Sequence, residues 1–380
     1  MSSPSFAVGL EAGGILPPVE VAASTVLVPT APPPLPAPRI TVSSAALDED
    51  EASAELAALL ERIGFRRPFL VSSDRGRRLL QGVPLAGSQG RRVGASQASA
   101  GALAKMARRA GADAVVAAGG GRCLDVAKLA AAGAGLAFVA VPTQLSHDGI
   151  CSPVSVLPRG AQGVAESVEA VAPRLAFFSR PTLLSSPFAA TRAGIGDLIS
   201  NPLALLDWEL ASEAGLEQVD PGAHQLSMEA YGIIEPLLDR PFGPDDVTPA
   251  LIGLLARALS KSGLAMIATG TSRPASGAEH KISHAIDDLY GGRAHHGEQV
   301  AFATLLSAAL HGLDVEVTRR RLVNLGIAHH PSHLGLSLPD MVRVLLRAPA
   351  TRPGRFTVLE KAALDEVDAA ALVRWVWPDL

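Results

Sequence analysis

The chain has 380 residues, 48% of them hydrophobic, with 33 basic against 37 acidic side chains and a net charge of −4. At this length roughly 75% of the unfolded surface is buried on folding, which excludes global disorder and allows one large core or two domains. Near-balanced charge and an aromatic content of only 4% speak against nucleic acid as a partner.

Two cysteines, Cys123 and Cys151, are too few for a disulfide framework and point to a reducing cytoplasm. The opening residues Met1-Ser2-Ser3-Pro4-Ser5-Phe6 lack the basic stretch and apolar run of a secretory leader. Mean hydropathy is +0.27. Even so, no uncharged apolar run of about 18 residues is bounded like a span, so no membrane partner is expected.

Residues 1–40 are rich in Pro and Ala, ending in Ala31-Pro32-Pro33-Pro34-Leu35-Pro36-Ala37-Pro38, and predict a solvated, disordered tail. A helix is predicted over 51–63, behind the acidic residues Asp48, Glu49 and Asp50. Apolar strands are then expected over 67–74, 113–118, 137–141 and 174–179, with helices over 100–110 and 124–132 between them. Strand, helix, strand at this spacing means βαβ units and a parallel sheet. After Pro187 the pattern turns helical, over 197–214, 246–269, 276–289, 300–313 and 339–346. The expected organisation is α/β followed by all-α: a tail to residue 40, an α/β domain over 41–181, and a helical domain over 182–380. Ligand sites in such an arrangement tend to lie where the sheet's carboxyl edge faces the second domain.

Three segments carry chemistry. Gly119-Gly120-Gly121-Arg122-Cys123-Leu124-Asp125 joins a buried strand to a helix. Glycines there let backbone approach a pyrophosphate, and a helix start offers free N–H donors. A tight strand–helix turn explains the same glycines. The next strand ends in Pro142-Thr143-Gln144-Leu145-Ser146-His147-Asp148-Gly149, where Thr143 and Ser146 suit phosphate or ribose and Asp148 a substrate hydroxyl. Asp74, at the end of an early strand, suits a ribose 2′-OH, and the adjacent Arg75 a 2′-phosphate.

The third segment set is acidic and imidazole. Gly194-Ile195-Gly196-Asp197 is expected to start a helix, with Asp197 in its first turn. His280 and His284 stand four apart on one helix face, and His295-His296 open the next helix. Four of the ten histidines thus fall within 17 residues. Asp plus His ligands suit a divalent cation with open positions, Zn²⁺ or Fe²⁺ alike.

In order along the chain, Gly119-Gly120-Gly121-Arg122-Cys123-Leu124-Asp125-Val126-Ala127-Lys128, Pro142-Thr143, Ser146-His147-Asp148-Gly149-Ile150, Gly196-Asp197-Leu198-Ile199-Ser200-Asn201, Ser272-Arg273-Pro274-Ala275-Ser276-Gly277-Ala278-Glu279-His280 and His296-Gly297-Glu298-Gln299 resemble the sn-glycerol-1-phosphate dehydrogenase branch of the iron-containing alcohol dehydrogenase superfamily. The resemblance implies a dehydroquinate synthase-like fold, with a dinucleotide-binding domain over 41–181, a helical metal- and substrate-binding domain over 182–380, and the active site in the cleft between them. It gives the metal to Asp197, His280 and His296, with Zn²⁺ foremost and Fe²⁺ or Ni²⁺ as alternatives. It gives NAD or NADP to Gly119, Gly120, Gly121, Arg122, Cys123, Leu124, Asp125, Thr143, Ser146 and Ser152, and the substrate to Asp148 and His284 as catalytic groups.

The implied reaction is reversible reduction of dihydroxyacetone phosphate to sn-glycerol 1-phosphate, in a homo-oligomer. A related dehydrogenase of another polyol or cyclitol phosphate is the alternative, and a carbocycle-forming lyase the more distant one. Arg273 is the candidate phosphate anchor. Departures from the branch are Arg122-Cys123 and Gln144-Leu145, which stand where the branch has other, mostly smaller, residues.

Overall fold

The computed structural model describes residues 39–42, 48–84, 87–90, 96–159 and 164–380. The tail expected over 1–38 lies outside the described residues, whereas Arg39 and Ile40, expected to end it, begin an edge strand.

Strand β1 (Arg39–Val42) is followed by helix α1 (Glu49–Arg62), where the Asp48 carboxylate accepts from the N–H of Asp50 at 2.7 Å and caps the helix. Then come β2 (Pro68–Ser72), β3 (Gly87–Gly90), α2 (Gln97–Arg109), β4 (Ala114–Gly119), α3 (Gly121–Ala134) and β5 (Ala137–Pro142). An antiparallel hairpin, β6 (Val154–Arg159) with β7 (Val164–Glu169), intervenes before β8 (Leu175–Phe178). The hairpin was not expected from the sequence.

Six strands form one wholly parallel sheet in the order β1-β8-β5-β4-β2-β3. Alternate residues of β4 feed different cores: Val115 and Ala117 join one apolar cluster, Val116 and Ala118 the other. Both faces of the strand are covered, which is why it reads as an unbroken apolar run. Register then places the loops. Ala118 pairs with Val141 and Gly119 with Pro142, so the loops after β4 and β5 leave the sheet side by side. The Thr143 N–H donates to Gly119 O at 3.0 Å and ties them together.

The rest is helical: α4 (Arg180–Leu184), α5 (Phe188–Ile199), α6 (Asn201–Glu213), α7 (Pro221–Leu238), α8 (Pro249–Thr269), α9 (Ala278–Tyr290), α10 (His296–Leu310), α11 (Val315–Leu325), α12 (Leu338–Thr351), α13 (Val358–Ala362) and α14 (Glu366–Val376). The apolar cluster that holds Phe69, Val115 and Phe138 of the sheet continues into Leu255, Ile282 and Phe302, so sheet and helices share a core. Helix α8 is long and apolar enough to cross a bilayer, but 67% of its apolar window is buried, largely against α7.

One expected helix is two. The pattern over 197–214 breaks at Ser200, because Pro202, in the first turn of a new helix, has no N–H to donate to the Leu198 carbonyl. Asp197 therefore lies in the last turn of α5, not the first turn of a helix.

Candidate metal centre and active site

Helices α5 and α10 cross closely enough to bring Asp197 and His296 together, and two glycines make that crossing possible. A Cβ at Gly297 would fall 2.0 Å from the Ala193 carbonyl oxygen, and one at Gly196 would fall 2.7 Å from Gly297 O. Each glycine is the immediate neighbour of a candidate ligand. His280, in the first turn of α9, reaches the same point.

Asp197 Oδ1 lies 3.8 Å from His280 Nε2 and 3.9 Å from His296 Nε2. The three ligand atoms fall within 4.8 Å of one another, and no other such group of His, Cys, Asp or Glu occurs among the described residues. Asp197 Oδ1 is buried and has no hydrogen-bond partner among the described residues. A buried carboxylate oxygen left without a proton donor is costly, and a cation is what relieves it. Imidazole and carboxylate atoms around a tetrahedral cation stand about 3.3 Å apart, so a small inward shift completes the set. The residues fit a divalent cation.

The charges agree. Burial, with the charge of Asp148 second, pushes the Asp197 carboxyl well above its usual range. Burial holds His280 neutral, its value lowered to about 3, and holds His284 well below the usual imidazole range; the Arg352 guanidinium adds to both. Neutral imidazoles are the form that binds a cation. Glu279 fixes which nitrogen does so: its Oε1 accepts from the Gly277 N–H at 2.6 Å and lies 2.9 Å from His280 Nδ1. The proton is thereby assigned to Nδ1, leaving the Nε2 lone pair facing Asp197. Burial raises Glu279 to about 8. Glu279 had no role in the sequence reading, although it stands next to His280.

His284, one turn further along α9, stacks on His296 with ring centroids 5.9 Å apart and keeps a buried Nδ1 without a partner among the described residues. It joins the cluster without entering the three-ligand group. The His296 side chain is 37% exposed and leaves the site open on that side. His295, the residue that precedes α10, is exposed.

Asp148 arrives from the sheet. It opens a short 3₁₀ turn, Asp148–Cys151, in the loop after β5. Its N–H donates to Asp197 Oδ2 at 2.9 Å, which couples the sheet's carboxyl edge to α5. Ser262 Oγ donates to Asp148 Oδ2 at 2.7 Å, and Asn201 Nδ2 donates to Ser262 Oγ at 3.2 Å. This buried chain aims the Asp148 carboxylate, and neither Ser262 nor the role of Asn201 was read from the sequence.

The glycine loop is tighter than phosphate binding alone demands. A Cβ at Gly121 would fall 2.3 Å from His147 Nε2, and one at Gly119 would fall 2.6 Å from Cys123 Cβ. Gly120, at the α3 N-cap, faces Gln144 at 3.5 Å, and the helix start carries no side-chain cap. Arg122 is exposed there, while Leu124 and Asp125 are buried. Thr143 and Ser146 are buried beside the loop, and Gln144 Nε2 donates to Ser146 Oγ at 3.3 Å.

The Ser152 hydroxyl lies 3.2 Å from Gly149 O and 3.0 Å from Val154 O, turned onto its own loop. Lys128, fully buried, donates to Gly149 O and to Val154 O (3.0 Å), which braces that loop against α3. Asp74 is exposed on the turn after β2, 3.5 Å from Arg77, and Arg75 is held by Ser185 Oγ at 2.9 Å and Thr182 O at 3.3 Å. Burial raises both thiols, Cys123 and Cys151, to about 11.

Comparison with known proteins agrees with this architecture. The sequence model of the family described as iron-containing alcohol dehydrogenase matches residues 50–179. The chain is 38% identical over 242 residues to the glycerol-1-phosphate dehydrogenase [NAD(P)+] of Methanosarcina mazei, covering 63% of this chain and 66% of that protein. It is 36% identical over 270 residues to that of Methanosphaerula palustris, covering 70% and 73%. Among solved structures, glycerol dehydrogenase from Schizosaccharomyces pombe superposes with a TM-score of 0.71 at 16% identity, over 89% of each chain, and shares the fold. The chain belongs to the glycerol-1-phosphate dehydrogenase family, within the iron-containing alcohol dehydrogenases.

Proposed function

We propose that the chain is an NAD(P)-dependent, metal-dependent dehydrogenase that reversibly reduces dihydroxyacetone phosphate to sn-glycerol 1-phosphate. The observation that carries the reading is the Asp197–His280–His296 group set directly against Asp148 at the carboxyl edge of the sheet. Asp197, His280 and His296 would hold the cation, with Zn²⁺ foremost from the family resemblance, since the donor set itself suits Zn²⁺ and Fe²⁺ alike. Gly119 to Asp125, with Thr143 and Ser146, would seat the cofactor at the α3 start, and the exposed Asp74 its ribose. When bound, the cation supplies a Lewis acid for the carbonyl oxygen and the nicotinamide supplies the reducing equivalent.

The chain's own groups do the rest. Asp148, aimed by Ser262, orients the substrate hydroxyl. His284 is kept neutral by burial and holds a free Nδ1, so it is placed to pass a proton to or from the substrate oxygen. The buried walls of α5, α9 and α10 limit water around these groups, which strengthens every polar contact inside. Cys123 and His147 pack against Gly119 and Gly121 with no room for a Cβ, which supports a close-packed glycine loop as the cofactor's seat.

The test is NAD(P)H absorbance with dihydroxyacetone phosphate, unphosphorylated ketones and a small cyclitol panel, each with NADH and NADPH. Oxidation of the reduced cofactor with dihydroxyacetone phosphate far above the other compounds is expected. Preference for a cyclitol or for a free ketone would replace the substrate, and turnover without net cofactor change would point to the lyase class.

A further inference from the structure

The sequence offered Arg273 as the phosphate anchor, but Arg273 is otherwise engaged. Its Nε donates to Glu217 at 2.9 Å and its Nη2 to the Phe356 carbonyl at 2.5 Å, with the side chain 2% exposed. Two other guanidiniums gather beside it from the far end of the chain. Arg352 Nη1 donates to Ser272 Oγ at 2.7 Å and lies 3.4 Å from Ser276 Oγ. Arg355 Nη2 donates to the same Ser272 Oγ at 3.1 Å, and its Nη1 to the Ser276 carbonyl at 2.6 Å.

Two guanidiniums thus share one hydroxyl, Arg273 lies beside them with a buried Nη1 that has no partner among the described residues, and the charges of Glu217 and Glu279 reach the group. Like charges this close repel, and a polyvalent anion reverses the sign of the interaction. A hydroxyl that accepts twice still has its own proton to donate. Both arginines remain partly open, so a ligand can reach them. Their position suits the chemistry. The Arg352 guanidinium lies close enough to the histidine cluster for its charge to help lower His280, His284 and His296. In a phosphorylated hydroxyketone, carbonyl carbon and phosphorus are three bonds apart, which calls for such closeness.

We propose that Arg352 and Arg355, with the hydroxyls of Ser272 and Ser276, form the phosphate pocket of the substrate and select phosphorylated over free ketones. The proposal rests on the reading above that the substrate is a phosphorylated ketone. The arginines bind the leaving end of no bond and take no part in proton transfer; they hold the dianion while the carbonyl faces the histidine cluster.

The test uses the full chain, loaded with metal and cofactor. Arg352→Gln should lower kcat/KM for dihydroxyacetone phosphate by about 10- to 150-fold, mainly through KM, as expected for loss of a charge-assisted contact. The same variant should change kcat/KM for unphosphorylated dihydroxyacetone by less than about twofold, because that substrate makes no such contact. Arg352→Lys keeps the charge and should recover part of the loss. A second readout is independent of turnover: calorimetric titration of inorganic phosphate into the full chain without cofactor. Wild type should bind it and Arg352→Gln should not. Equal losses on both ketones, or equal phosphate binding by wild type and Arg352→Gln, would overturn the proposal. If wild type reduces neither ketone, the functional reading falls while the phosphate titration still decides the pocket.

Discussion

The two sides of the site are built by different means. On the sheet side, backbone does the positioning: parallel register sets the loops after β4 and β5 side by side, and His147 and Cys123 fill the space a glycine Cβ would need. On the helical side, side chains do it: α5 and the consecutive helices α9 and α10 supply one ligand each, with close crossing allowed by Gly196 and Gly297. The contrast teaches where each side is vulnerable. The sheet side should tolerate loss of single polar groups and resist added volume. The helical side should fail when one contact or one crossing is disturbed.

The largest expected effect is Gly297→Val, which puts a branched side chain where Ala193 O stands 2.0 Å from a Cβ. Forcing α5 and α10 apart should lower metal affinity by more than about 100-fold, with helical circular dichroism retained. Undiminished cation binding in this variant would show that the crossing does not govern the centre.

Next is Glu279→Ala, which removes the group that fixes His280. Metal affinity measured by chelator competition should fall about 10- to 100-fold. Gly121→Ala tests the sheet side, where the new Cβ meets His147. It should cost about 1–3 kcal/mol of stability in denaturant unfolding while metal affinity stays unchanged. A metal defect in this variant would erase the distinction between the sides.

The subtlest effect is in pH. Asp197 is raised by burial, so the stability it lends the metal-free fold is full below its ordinary value of 3.8 and is lost as pH rises through its folded value. In excess chelator, Asp197→Asn should therefore be more stable than wild type, by a margin that widens as pH rises. Thermal unfolding across pH measures this, and a wild type that stays more stable at every pH would contradict it.

The same contrast explains what was legible beforehand. Strands β2, β4 and β5 are apolar runs stopped by polar turns, and helix α3 begins where the glycines end, so the βαβ pattern could be read locally. The hairpin β6–β7 is two short strands with a proline and charges in them and leaves no such trace. Helices α7, α11 and α14 went unread, and α7 starts and continues through prolines that interrupt the pattern. The spacing of His280 and His284 shows a shared helix face and no more; that His296 and not His284 goes with Asp197 was legible only through the family resemblance, and the folded chain brings those three together. Arg352 and Arg355 lie about 80 residues beyond Ser272 and Ser276 and carry no local signature. Their meaning comes from tertiary contact alone.

The central claim is that Asp197, His280 and His296 hold one divalent cation. The most direct measurement is titration of Co²⁺ or Zn²⁺ into chelator-treated wild type and His280→Ala, followed by metal content after dialysis. Wild type should retain a single cation per chain and His280→Ala none, with turnover lost in step. Equal metal content in the two proteins, or full activity of wild type after exhaustive chelation, would contradict the account.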